Sequence, residues 1–127
     1  MPGEHTYDYA IIRVVPRVER GELINVGVIL SCPAAGFLEA CIDLNPSRLL
    51  ALDPSLDVDA ARAHLEVIPR VCRGGPEAGE LGALPQRSRF HWLVSPRSTI
   101  IQMSPVHTGR TDDPAKALQR LIETMVR

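Results

Sequence analysis

The sequence YDYAIIRVVPRVERGELINVGVIL, residues 7–30, consists of two apolar segments joined by a short charged link. β-Branched and aromatic residues dominate both segments, which is typical of β-strands. Pro16 lacks the N–H that a central strand needs, and Gly21 supplies a turn. The stretch therefore predicts two antiparallel strands, over residues 7–17 and 23–32.

The rest of the chain mixes strand-like and helix-like patterns without repeated βαβ units. In chain order it predicts a third strand over residues 37–44, a short helix over 45–52, a second helix from Asp57 that kinks or ends at Pro69, two strands over 90–95 and 98–104, and a last helix capped by Asp113. Residues 73–88 are rich in Gly and Pro and predict a long flexible loop. This order predicts a single α+β domain over residues 1–127, with a mostly antiparallel sheet of about five strands and helices packed on one face.

The composition limits the possible functions. The chain is 45% hydrophobic and 23% charged with a formal net charge of -1, so it lacks the positive field typical of nucleic-acid and anionic-membrane binding. No apolar run approaches the ~20 residues of a membrane span, and no signal-peptide pattern is present, so a cytoplasmic location is expected. Neither the three cysteines nor the four histidines have metal-ligand spacing, so no metal and no other cofactor are expected.

One charged cluster lies at the end of the first predicted hairpin. Guanidinium groups recognise carboxylates or phosphates through paired hydrogen bonds, and neighbouring glutamates can hold them in place. Two interpretations stay open: an edge that recognises an anion or docks a partner, and a solvated turn whose opposite charges pair weakly. Arg13 interrupts an apolar strand, so it lies either on an open sheet face or paired and desolvated. The candidate binding residues are Arg13, Arg17, Glu19, Arg20, Glu22 and Asn25.

A second polar cluster follows residues 90–95. Its Ser, His and Asp residues lack the spacing of a catalytic triad, and no G-x-S-x-G motif is present, so no catalytic residue is predicted. A phosphate site at Arg97 and the start of the last helix is an alternative, although Asp112 and Asp113 would repel an anion there. A solvated loop with a helix cap is favoured. The candidate binding residues are Arg97, Ser98, Thr99, Gln102 and His107.

Two segments, in this order, resemble a bacterial family catalogued as domain of unknown function 3037. They are residues 7–30, quoted above, and RFHWLVSPRSTIIQMSPVHTGRTDDP, residues 89–114. The R-V-x-P-R…E-R-x-E-x-x-N-V-G-V core of the family appears as Arg13–Val28, called here the first motif, and its W-L…P-R-S-T-x-I-Q run as Trp92–Gln102, the second motif. The resemblance implies an intracellular bacterial protein and brings no established activity with it. Such proteins are often encoded beside a HipA-like serine/threonine kinase domain, which implies a kinase-like partner.

The leading hypothesis is a non-enzymatic protein–protein interaction module that acts with a HipA-like kinase or a toxin–antitoxin-type partner. It rests on the lack of a recognisable catalytic constellation and on the charged hairpin edge. An alternative is an enzyme or binding domain for a phosphorylated or nucleotide-like small molecule, with Arg13, Arg17, Arg97 and His107 in one pocket, which requires the first and last strands to pair. A third is a structural homodimer that uses an exposed edge strand. Neither a membrane nor a nucleic acid is expected as a partner.

Overall fold

The computed structural model describes residues 4–97 and 99–127. The elements in this part of the chain are β1 (His5–Val14), β2 (Ile24–Cys32), β3 (Phe37–Ile42), α1 (Pro46–Leu52), α2 (Val58–Arg73), α3 (Gln86–Val94), β4 (Ile101–Met103), β5 (His107–Thr111) and α4 (Pro114–Met125). Short 3-10 turns cover Pro33–Ala35 and Pro76–Ala83. The strands form one antiparallel sheet of five, so the predicted α+β class is confirmed.

β1 is the central strand of the sheet. β2 pairs along one of its edges, with β3 beyond it, while β4 and β5 lie end to end along the other edge. β4 pairs with residues 12–14 of β1, and β5 pairs with residues 5–9. Arg13 is therefore opposite Asn25 of β2 and also opposite Gln102 of β4. The two motifs, distant in sequence, meet at β1.

The Asn-Val-Gly sequence of the first motif forms a β-bulge. Ile12 is opposite Gly27 but Arg13 is opposite Asn25, so Val26 is an extra residue in β2. A Cβ atom at Gly27 would lie 2.6 Å from the carbonyl oxygen of Cys41 on β3. Only glycine allows the two strands to approach this closely.

Hydrophobic cores lie on both faces of the sheet. Under α1, α2 and α3 the buried residues include Ala10, Ile12, Val14, Leu49, Leu65, Phe90 and Leu93. Under α4 they include Tyr7, Val28, Leu30, Leu118, Leu121 and Ile122. The sequence predicted helices on one face, but α4 covers the opposite one. The reason is that β2 carries apolar side chains on both of its faces, as fully covered strands do, so both needed to be buried.

The helix starts agree with the sequence. Asn45, Asp57 and Asp113 each accept a hydrogen bond from the backbone N–H three residues later, which confirms the predicted cap at Asp113 and the helix starts predicted at Asn45 and Asp57. α2 does not end at Pro69, one of the two predicted outcomes, but continues to Arg73. Its buried stripe also continues past that residue, so packing on the sheet compensates for the hydrogen bond that proline cannot donate.

Three predictions for the second half of the chain are corrected. Residues 90–95 are not a strand, because they belong mostly to α3, which buries Phe90 and Leu93 at helical spacing. The segment 73–88 is not one continuous loop, since it contains a 3-10 turn and the start of α3. The region expected to be a solvated loop contains β5, an edge strand with mainly polar side chains.

Candidate functional site

A cavity of about 600 Å³ opens between α2, α3 and β4. We call it the groove, and it is lined in part by Val67 and Ile68 of α2, Trp92 of α3, Arg97, and Ile101 and Met103 of β4. Its walls are mainly apolar, and its volume is in the range of ligand-binding sites. Trp92 is 39% exposed and Val67 is 40% exposed. The groove thus presents large apolar side chains to solvent.

The packing of two helices explains why these side chains reach solvent. α3 buries Phe90 and Leu93 against the sheet, so Trp92 between them lies on the outer side of the helix. α2 similarly buries Leu65 and Ile68 and leaves Val67 exposed. The second motif therefore supplies one wall of the groove from α3 and another from β4.

Arg97 is held at the rim of the groove. Its guanidinium carbon lies 4.3 Å from the centre of the Trp92 ring, and its Nη2 donates a hydrogen bond of 2.7 Å to the Trp92 carbonyl oxygen. Such stacking of a cation on an aromatic face is attractive. None of the ion pairs in residues 4–97 and 99–127 involves Arg97, and the described lining residues include no carboxylate. The groove therefore carries an uncompensated positive charge.

β4 has an open outer edge beside the groove. Its inner edge is fixed to β1 by hydrogen bonds from Val15 N–H to the Ile100 carbonyl, 2.7 Å, and from Ser104 N–H to the Ile11 carbonyl, 2.9 Å. The alternation of an antiparallel strand turns the backbone groups of residues 101 and 103 away from β1. No described strand pairs with that outer edge. One of its outward groups, the Ile101 carbonyl, accepts a hydrogen bond of 2.8 Å from the Thr99 hydroxyl. The site thus combines apolar walls, one cation and a strand edge without a paired strand.

The charged turn of the first motif is different because its charges pair with one another. Arg20 forms an ion pair with Glu22, and Arg17 Nε lies 3.7 Å from Asp53 Oδ2. The Ser55 hydroxyl and backbone N–H donate to Asp53, and these bonds, with Arg17 nearby, hold the pKa of that carboxyl below its usual value. The cavity here, about 230 Å³, is lined by charges of both signs.

Asn25 has a structural role that its sequence position did not indicate. Its Nδ2 donates a hydrogen bond of 3.0 Å to the Met125 carbonyl at the end of α4. Arg48 donates similarly to the Val126 carbonyl, 2.9 Å, and Arg127 pairs with Asp43. These contacts fasten the C-terminal end of α4, whose last carbonyls have no partner within the helix.

The candidate residues are distributed over separate places. Arg97, Thr99 and Gln102 line the groove, whereas Arg17, Arg20 and Glu22 line the smaller cavity. Glu19 is exposed on the turn, His107 begins β5 with its ring 5.4 Å from that of Tyr9, and Arg13 lies on the face covered by α4. Ser98 lies outside the described residues. The structure therefore does not bring Arg13, Arg17, Arg97 and His107 into one pocket, which corrects the arrangement that the small-molecule alternative required.

Trp92 and Val67 are the site residues that the sequence analysis missed. Trp92 was expected to be an ordinary strand residue because residues 90–95 alternate like a strand. The available signal was a helical one, since Phe90 and Leu93 are three residues apart and leave Trp92 off the buried stripe. The spacing of Leu65 and Ile68 in α2, which leaves Val67 off the buried stripe, was a second signal.

Other reactive groups are placed in structural positions. Burial raises the pKa of the Cys72 thiol to about 12, and it also raises the pKa of Cys41, so neither is an activated nucleophile. Asp8 accepts hydrogen bonds from Arg87 and Thr108, which outweigh the effect of its burial and leave its pKa below the usual value. Within the described ranges, no group of three His, Cys, Asp or Glu side chains is placed to hold a metal ion.

Fold and groove together define a small α+β protein with a mixed apolar and cationic groove beside an open strand edge. The family described as "Protein of unknown function (DUF3037)" matches residues 9–126, nearly the whole chain, and the protein belongs to that family. This confirms the resemblance seen in the two motifs. No curated protein and no solved structure matches the chain. None of the described helices has the length and apolar content needed to cross a bilayer.

Proposed function

We propose that this protein is a protein–protein interaction module whose groove binds an extended segment of a partner protein. The observation that carries the proposal is the coincidence, at the groove, of exposed apolar walls, an unpaired guanidinium and an open strand edge. Aromatic and arginine side chains dominate the binding energy of most interfaces. Trp92 and Arg97 are therefore the two expected anchors.

Each feature of the groove constrains the chemistry of the partner segment. The apolar walls between Val67, Trp92 and Met103 favour an aliphatic or aromatic side chain. Arg97 favours a carboxylate, because its charge has no partner among the described residues and the lining contains no acid. The outer edge of β4, with which no described strand pairs, favours an extended chain that adds to the sheet and displaces the Thr99 hydroxyl from the Ile101 carbonyl. The expected occupant is an acidic, apolar strand.

The first partner to test is a HipA-like kinase or another component of a toxin–antitoxin-type system, because the family resemblance implies one. A cytosolic, bacterial setting follows from the same resemblance and fits three free thiols, Cys32, Cys41 and Cys72. Recognition by an uncompensated arginine also predicts faster association at low salt.

The test compares capture by groove and non-groove variants of the full chain. Trp92→Ala is the groove variant, and Leu50→Ala on α1 is the matched control because both side chains are 39% exposed. We expect the wild type and Leu50→Ala to retain the same stoichiometric partner, and Trp92→Ala to lose it. With that partner purified, titration calorimetry is expected to give a Kd at least about 30-fold weaker for Trp92→Ala, as for a hot-spot residue.

Two outcomes would overturn the proposal. A partner that binds Trp92→Ala as tightly as the wild type would place recognition on another surface. Concentration-dependent dimers in sedimentation that dissociate in Trp92→Ala would show that the groove holds a second copy of this chain, as in the homodimer alternative. The folding of each variant is checked by its thermal unfolding curve.

A further inference from the structure

A second cavity, of about 450 Å³, adjoins the groove where β4 ends, and we call it the end cavity. Arg97, Gln102 and Met103 line both the groove and the end cavity, so the two are neighbours. Residues 99–103 line the groove, whereas residues 102–106 line the end cavity. The two cavities therefore follow one another along the direction of β4.

The end cavity has largely apolar walls. Val94 and Pro96 line it from the end of α3, and Pro105 and Val106 line it from the segment after β4. Val106 is 44% exposed, so its side chain is available to a partner. The described lining residues of the two cavities include no carboxylate, and Arg97 borders both. An uncompensated positive charge thus lies between two apolar cavities.

Hydrogen bonds hold the segment after β4 in place. The Ser104 hydroxyl accepts from the backbone N–H of Ile11, 2.8 Å, and donates to the carbonyl oxygen of Pro105, 2.8 Å. Pro105 has no N–H, so a chain that adds to the outer edge of β4 finds no backbone donor at that position. A bound segment that continues past Met103 must therefore be held by its side chains, and the end cavity offers room for one.

We propose that the segment bound in the groove carries two apolar side chains four residues apart, with an acidic residue midway between them. This inference rests on the proposed function and adds the sequence pattern of the partner. Side chains on one face of an extended chain recur at every second residue, so an apolar group in the groove, a carboxylate at Arg97 and an apolar group in the end cavity take positions i, i+2 and i+4. The pattern reads the same in both chain directions, so it applies to parallel and antiparallel segments alike.

The test measures the binding of fluorescein-labelled peptides with blocked termini to the full chain by fluorescence anisotropy. The probe peptide has the core leucine–threonine–glutamate–threonine–leucine. A serine peptide replaces the last leucine by serine, and a shifted peptide exchanges that leucine with the threonine before it, which turns the leucine to the other face. We expect both altered peptides to bind the wild type about tenfold more weakly than the probe peptide.

Two variants assign the second leucine to its cavity. Val106→Asn makes the end cavity polar, and Val18→Asn on the charged turn is the matched control, because the two valines are 44% and 43% exposed and Val18 lines neither cavity. We expect Val106→Asn to bind the probe and serine peptides within about twofold of each other, and Val18→Asn to keep the tenfold difference. Thermal unfolding curves check that each variant is folded.

A third pair of measurements assigns the acidic residue. Replacing the glutamate of the probe peptide by glutamine should weaken binding to the wild type about tenfold and leave binding to Arg97→Gln almost unchanged. An equal loss with both proteins would show that the carboxylate lies elsewhere, and the pattern would be overturned.

The remaining outcomes separate this inference from the proposed function. If Trp92→Ala loses the captured partner, but the wild type does not bind the probe peptide or binds the serine peptide as tightly, the groove binds a partner and the pattern is wrong. A tenfold difference that persists in Val106→Asn has the same meaning. If the captured partner binds Trp92→Ala as tightly as the wild type and the probe peptide does not bind, both proposals are overturned.

Discussion

The charged turn between β1 and β2 and the rim of the groove both place arginine beside apolar surface, but they differ in what faces the charge. On the turn, Arg17 and Arg20 lie next to Asp53 and Glu22. At the groove, Arg97 stacks on Trp92 without a carboxylate among the described lining residues. Density of charge is therefore a poor guide to recognition. The informative feature is a charge that the protein leaves uncompensated.

The two motifs also differ in what their residues do. The first motif forms a bulge at Gly27 and fastens α4 through Asn25, so its distinctive residues mainly build the fold. The second motif places Trp92 and Arg97 at the surface, where they add little to the core. Substitutions in the first motif should thus affect stability, and substitutions in the second should affect binding.

The largest effect is expected for Gly27→Ala in the first motif. The added methyl group meets the Cys41 carbonyl oxygen at 2.6 Å, and a backbone atom cannot move aside as a flexible side chain can. We expect the free energy of unfolding to fall by about 3 kcal/mol, as measured by urea denaturation. Such a loss of stability would show that Gly27 of the first motif is required for the fold.

Gly36→Ala is the matched control for that variant. Gly36 has a φ of 61° but open space around its Cα, so alanine there meets backbone strain alone, costing about 1 kcal/mol. If Gly27→Ala were no more destabilising than Gly36→Ala, the bulge would tolerate a side chain, and the structural account of the first motif would be wrong.

The next effect compares the two arginine-bearing regions directly. Arg97→Glu reverses the uncompensated charge at the groove, and we expect about 2 kcal/mol weaker binding of the captured partner, a factor of about 30 in Kd. Calorimetry at two salt concentrations measures it, and the loss should shrink at high salt. Trp92, the single tryptophan of the chain, provides a fluorescence signal from the same place.

Arg20→Glu is the control on the charged turn. It changes the net charge of the chain by the same amount but lies outside the groove lining. We expect partner binding to stay within error of the wild type. Equal losses in Arg20→Glu and Arg97→Glu would mean that overall charge, and not the groove, steers the partner.

Local signals in the sequence were sufficient for much of the fold. The first strand pair, the third strand and the helix starts at Asn45, Asp57 and Asp113 depend on neighbouring residues, and each was predicted near its observed place. Residues 90–95 failed because Phe-x-Trp-x-Val alternates like a strand while Phe90 and Leu93 also fit a helix. β5 has little apolar content, since it is a largely exposed edge strand, so no hydrophobic pattern marked it.

The site was harder to predict because pairing of charges is a tertiary property. The sequence named both Arg17 and Arg97 as candidate binding residues, but Asp53, the partner of Arg17, is 36 residues further along the chain. Asn25 was selected as a binding residue, yet the Met125 carbonyl that it holds is 100 residues away. No local pattern distinguishes an arginine with such a partner from one without.

The smallest expected effect concerns the ion pair between Asp8 of β1 and Arg87 of α3. Hydrogen bonds from Arg87 and Thr108 outweigh burial and lower the pKa of Asp8 from its ordinary 3.8. A carboxyl whose pKa is lower in the folded state stabilises the fold above its unfolded pKa, and this stabilisation is lost as pH falls through the folded value. Because the Arg87 side chain is 39% exposed, solvent screening limits the contribution to about 1 kcal/mol. We expect Asp8→Asn to be less stable than the wild type at about pH 6 and equal to it near about pH 2, by urea denaturation at each pH.

Asp59→Asn is the control for this pH dependence, because Asp59 is 94% exposed in its ion pair with Arg62. Its stability should follow that of the wild type at every pH. Asp8→Asn should also leave the Kd of the groove partner almost unchanged, since Asp8 lies outside the groove lining. A loss of affinity as large as that of Arg97→Glu would show instead that the Asp8–Arg87 pair positions α3 for binding. In that case residues outside the second motif would also contribute to recognition of the partner.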